Sequence, residues 1–172
     1  MRRKLVIAAI IIVCFLLQCT VFQTLAIASI SPNLLIVVTA AFGFMRGKKE
    51  GLFVGFFCGV LIDIMFGSVL GFYALVYMFI GYANGFFRKN FFPDGIWLPV
   101  LLIAVSDFCC NLFVYFILFW FRGRFDFGYY LGHTILPELV YTMLIAIVLY
   151  FILLKINQKL EEIEKRSETK FG

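Results

Sequence analysis

Three carboxylic acids stand inside the apolar stretches of this chain, Asp63, Asp107 and Glu138, and the single histidine, His133, lies close to the last of them. Charge is costly in a bilayer, so each acid is a candidate site residue expected to face protein rather than lipid. Helical spacing gives two of them polar company. Asn111 lies one turn from Asp107, and Thr134 and Thr142 flank Glu138 at four-residue steps, with the phenol of Tyr141 in the same segment. No lysine or arginine falls within these stretches, which leaves His133 as the nearest candidate cation. The set fits hydrogen bonding between helices, a polar cavity for a small ligand, or a step on a proton or cation path.

Enzymatic chemistry finds little to work with. His133 has no serine or cysteine partner at motif spacing, and neither GxSxG nor HExxH occurs. The glycine spacing matches no phosphate-cradling loop. Cysteines 14, 19, 58, 109 and 110 all sit in apolar segments without a CxxC pair, so neither a disulfide framework nor a metal site is expected, and no cofactor is implied.

A second pattern surrounds the first acid. Gly43, Gly47, Gly51, Gly55 and Gly59 are spaced by four, Asp63 takes the next step, and the beat resumes at Gly67, Gly71, Gly81 and Gly85. Four-residue glycine steps in an apolar helix let another helix approach closely, so this stretch is expected to build a packing surface for a neighbouring or partner helix. The charged turn at 46–50 and a turn at 67–69 divide it among three helices. Within one helix such steps drift by about 40° each, so Asp63 is expected to meet a different neighbour from Gly51 and to latch the outer end of a hairpin.

The elements that must hold these residues follow from composition. Of 172 residues, 63% are hydrophobic and 15% charged, with a mean hydropathy of +1.02, which describes an integral membrane protein and leaves no room for a soluble domain. We expect one all-α domain: a compact bundle of six transmembrane helices over 5–25, 32–45, 51–66, 70–87, 97–120 and 131–154, with residues 155–172 as a cytoplasmic tail helix. The first apolar run resembles a signal peptide, and Ala26-Ile27-Ala28 offers a cleavage pattern, but its length favours a retained span. Ser31-Pro32 reads as an N-cap with proline at the first helical position. Span two rises only about 22 Å, so either the protein is thin here or spans two and three form a shallow pair that other helices shield from lipid. The last span is expected to bend near Pro137.

Charge sets the orientation. With the N-terminus inside, the inner segments hold thirteen of the fifteen basic residues and the outer loops only Arg122 and Arg124, which places both termini in the cytoplasm and argues against nucleic acid as the partner of the net +5 charge. In the tail, Leu149, Leu153, Ile156, Leu160 and Ile163 step by 4, 3, 4 and 3, a short heptad seam suited to a solvated helix end or to a docking helix.

Taken together these residues resemble the rod shape-determining protein MreD family. The likeness rests on Ser31-Pro32-Asn33-Leu34-Leu35, on the run Gly51, Gly55, Gly59, Asp63, Gly67, Gly71, on Phe72-Tyr73-Ala74-Leu75 and Ile80-Gly81-Tyr82, and on Leu136-Pro137 with Tyr141. Thr142, where asparagine is frequent in the family, and Glu138 depart from that pattern. The resemblance implies a non-enzymatic scaffold subunit of the bacterial cell-elongation complex in the cell membrane, organising lateral peptidoglycan synthesis. Its implied partners are an MreC-type bitopic protein, a RodA-type polymerase, a transpeptidase, an MreB-type filament and membrane lipid. It also implies a fold like the substrate-binding subunits of energy-coupling-factor vitamin transporters. That likeness supplies the alternative function, binding of a small molecule or lipid.

Overall fold

The computed structural model describes residues 2–24, 31–67, 70–88, 97–120 and 127–168. The 26–28 cleavage pattern, residue 25 of the first span, the turn residues 68–69, the polar turn at 89–96, the loop at 121–126 and the last four residues lie outside them. Every element among the described residues is helical: α1 Arg2–Cys19, α2 Val21–Thr24, α3 Leu34–Arg46, α4 Lys48–Phe66, α5 Phe72–Phe87, α6 Trp97–Trp120, α7 Phe127–Tyr130, a π-helical turn Leu131–Ile135, and α8 Leu136–Glu168.

The bundle is built around α3. From Leu34 to Phe44 every side chain is buried, and α1, α4, α5, α6 and α8 all pack against it. A helix apolar on all sides avoids water and fits this enclosed place, and Thr39, the one polar side chain in that run, returns its hydroxyl to the Leu35 carbonyl at 2.8 Å. Thirteen residues give about 20 Å of helix, so the short second span is shielded by its neighbours as its length demands.

The start of α3 differs from the Ser31-Pro32 expectation. Asn33 is the N-cap, its Oδ1 accepting from the Ile36 amide at 3.3 Å, and the helix begins at Leu34. An asparagine side chain reaches the orphaned amide three residues on, which displaces the proline from the first helical turn. Buried Pro32 sits just ahead of the cap. Only Gly47 separates α3 from α4, with φ +99°, a conformation that side chains with a Cβ rarely adopt. α4 therefore starts at Lys48, three residues earlier than the charged turn implied.

Among the described residues two helices are long and apolar enough to cross a membrane, 97–117 with mean hydropathy 2.2 and 128–166 with 2.5; α3 and α5 are apolar but shorter. The irregularity expected at Pro137 takes the form of the π-turn immediately before it, where the Leu136 amide bonds the Leu131 carbonyl. Proline cannot donate to the carbonyl four residues back, and a widened turn accommodates that loss. α8 then runs unbroken to Glu168, so the last span and the tail are one helix.

Candidate functional site

The glycine pattern closes on itself. The turn after α4 returns α5 antiparallel along the same face. A Cβ on Gly51 would overlap the Gly81 carbonyl, one on Gly55 the Tyr77 carbonyl, one on Gly59 the backbone of Tyr73 and Ala74, and one on Gly85 the backbone at Gly47 and Lys48. Gly43 of α3 joins the same contact, 2.6 Å from the Gly81 oxygen at the position its Cβ would take. All these glycines are buried, so the seam is filled from within the chain and is no open face for a partner helix. A row of i+4 steps is inclined to the helix axis, and α5 follows that row, so the angular drift does not carry Asp63 to a different neighbour.

Asp63 instead ends the row on the same helix. Its Oδ1 accepts from the Tyr73 amide at 2.9 Å, and its Oδ2 accepts from Gly71 at 3.1 Å and Ala74 at 2.9 Å. These are first-turn amides of α5 that have no partner within that helix, and the carboxylate also meets the positive end of the helix dipole. Gly67 and Gly71 make the fit: a Cβ on Gly67 would strike Asp63 itself, and Gly71 caps α5 with φ +96°. The latch is geometrically complete at a residue 2% exposed.

The other polar candidates meet elsewhere. Asp107 on α6 is fully buried, and its neighbours on α8 are the Thr142 hydroxyl and the Glu138 carboxyl. Asn111 lies beside Glu138. Neither Asp107 oxygen nor the Asn111 amide nitrogen makes a hydrogen bond of good geometry among the described residues, although the Thr142 hydroxyl lies beside Asp107 and the Glu138 carboxyl beside Asn111. Thr142 also accepts from the Asn33 amide at 3.2 Å, and Asn33 Oδ1 accepts from the fully buried Tyr77 hydroxyl at 2.8 Å. A polar string thus joins α3, α5, α6 and α8. Asn33 and Tyr77 escape a search by motif, although asparagine after proline at a helix start signals a cap. A further link, the Asn84 amide to Ser106 Oγ at 2.8 Å, ties α5 to α6.

His133 takes no part. It is exposed, stacked on the Tyr129 ring at 4.2 Å, with Nδ1 3.3 Å from the Tyr129 carbonyl, so the expected cation is absent from the acid pair. Tyr141 is half-buried and meets Phe22 edge-on at 6.3 Å. Asp63, spent on backbone amides, is not a fourth member of the cluster.

At the opposite end the charges gather. Arg3 of α1 pairs with Glu50 of α4 and, at 3.1 Å, with Glu164 of α8. Arg46 of α3 donates to Asn157 and pairs with Glu164 at 3.7 Å and Glu50 at 3.9 Å. Arg88 donates to the Arg46 carbonyl, and Lys48 lies over the Phe86 ring at 4.3 Å. The basic clusters of four segments therefore share one end of the bundle. The tail is neither free nor solvated all round, because Leu153, Asn157 and Leu160 are buried; of the heptad seam Ile163 alone is largely exposed.

No curated protein and no solved structure gave a match to this chain. A profile of one family, described as rod shape-determining protein MreD, matches residues 1–160 of the 172. It covers the central α3, the glycine-sealed hairpin with its Asp63 latch, Asp107 with Glu138 and, Glu164 excepted, the charged end of the bundle. The chain belongs to the MreD family of rod shape-determining proteins.

Proposed function

We propose that this chain is a multi-pass protein of the bacterial cell membrane, both termini cytoplasmic, that serves as a non-enzymatic scaffold of the cell-elongation complex. The family match over residues 1–160 carries the reading. Two features support it. The polar side chains inside the bundle mostly join one helix to another, and the basic residues of the N-terminus, the α3–α4 corner, α5 and α8 lie at one end, as a cytoplasmic face requires. Since the glycine seam is consumed internally, its partners dock on other surfaces. The first is an MreC-type bitopic protein, with a RodA-type polymerase, a transpeptidase and an MreB-type filament as further members. Depleting the chain in its own rod-shaped host and re-expressing it tests this. Depleted cells should round up and re-expression should restore rods; cells that stay rod-shaped without the chain would refute the reading.

A second reading is favoured by one observation, the fully buried Asp107, whose carboxyl oxygens make no hydrogen bond of good geometry beside Asn111 and Glu138. A buried acid without a partner is costly, and a small ligand would relieve it, as in the substrate-binding subunit of an energy-coupling-factor transporter. Native mass spectrometry of protein extracted in mild detergent would then show a bound molecule that is lost from the Asp107→Asn, Glu138→Gln double variant.

A further inference from the structure

A groove of about 740 Å³ runs between α1 and α4. Its walls are apolar, with Ile7 and Ile11 on α1 and Phe53 and Phe57 on α4, and both phenylalanines are more than half exposed. Leu61 lines its far end along α4. The mouth is charged and lies at the end of the bundle where the basic segments meet: Arg3, Lys4, Lys49 and Glu50 line it. Arg3 is held by Glu50 and Glu164. Lys4 and Lys49 are exposed and have no ion-pair partner among the described residues.

The dimensions and the charge select one occupant. From Lys49 to Leu61 the groove follows α4 for about 18 Å, close to the roughly 15 Å of one leaflet's hydrocarbon. A partner's transmembrane helix would call for an apolar face about twice as long. An acyl chain needs this depth with a head group at the mouth, and two unpaired ammonium groups there match a phosphate. Basic pockets between helices on the cytoplasmic side commonly take anionic lipid head groups. We propose that this groove is a specific site for one anionic glycerophospholipid of the inner leaflet, with its phosphate between Lys4 and Lys49 and its chains along Phe53 and Phe57. The inference needs the membrane placement but not the elongation role, so its failure leaves the latter standing.

Native mass spectrometry of the full chain, titrated with phosphatidylglycerol or with phosphatidylcholine of the same chains, reads the site. The wild type should retain phosphatidylglycerol preferentially. Replacing Lys4→Gln and Lys49→Gln should cut that preference by about 5-fold singly and about 30-fold together, on the scale expected for a lysine near an anionic head group, with Cys58 still protected from thiol reagents as a check on folding. A photo-reactive residue in place of Phe57 should cross-link lipid in cells. Equal retention of the two lipids by the wild type, an unchanged preference in the double variant, or a cross-link from position 57 to a protein helix would each overturn the assignment.

Discussion

Replacing Asp63 should open the α4–α5 hairpin, and the geometry sets the scale. Asp63→Ala strands three amides that differ in their access to water: Ala74 is buried, Tyr73 half-buried and Gly71 exposed. A buried donor left unpaired costs about 1–3 kcal/mol, with less where water can replace the lost acceptor, and the lost charge–dipole contact adds up to about 1 kcal/mol. The sum is about 3 kcal/mol. Asp63→Asn keeps a single acceptor oxygen, which in the Oδ2 position still serves Gly71 and Ala74 but abandons Tyr73, for a cost of about 1–2 kcal/mol. Cys58 reports the opening, because it lies on α4 five residues away and is fully buried. In a variant with the other four cysteines replaced, maleimide labelling of Cys58 in detergent should rise about 100-fold for Asp63→Ala and about 10-fold for Asp63→Asn, if opening is a rapid local equilibrium. An alanine variant that labels at the parental rate, with an unchanged thermal midpoint, would show that the latch contributes nothing and that the glycine contact alone holds the hairpin.

Three other groups of substitutions separate the parts of the account. Gly55→Ala or Gly81→Ala should destabilise by about 1–3 kcal/mol, because the added carbon meets backbone that cannot swing away, while Gly128→Ala and Gly132→Ala, with open space around them, should stay within about 0.5 kcal/mol of the parent in thermal unfolding. Arg46→Ala releases Asn157 and leaves Glu50 and Glu164 to Arg3 alone, so limited proteolysis should cut α8 beyond Leu153 several times faster while the cleavage pattern of the remaining helices is unchanged. Asp107→Asn should leave stability within about 1 kcal/mol of the parent, since the amide is isosteric with the acid and keeps an oxygen toward Thr142; a larger loss would mean that the acid holds a partner an amide cannot serve.

Local signals made much of this fold legible. The apolar run between Trp97 and Trp120 gave α6 its observed ends, and the four-residue glycine beat marked a close helix contact before its partner was known. What escaped was long-range. Glycine spacing says that something approaches, not what, and only the return of α5 shows that the seam is satisfied within the chain. Arg3 meets Glu50 and Glu164 across 47 and 161 residues, pairings that no spacing rule reaches. The central place of α3 escaped as well, because ten apolar side chains or glycine around a single threonine over Leu34–Phe44 suit lipid as well as a protein interior, and only the contacts of its neighbours place it. The N-cap went to Asn33 rather than Ser31 because capping competes among adjacent residues, and the Asn33 side chain is the one that reaches the Ile36 amide.

The scaffold claim meets its most direct test in affinity purification of the tagged chain from solubilised membranes of its host, with the MreC-type partner quantified by mass spectrometry. The account predicts enrichment of that partner with the wild type and equally with the Asp107→Asn, Glu138→Gln variant, because assembly and not the acid pair is the function. A membrane-inserted chain with Cys58 protected that carries no MreC-type protein, or that loses it only when the acid pair is replaced, would contradict it.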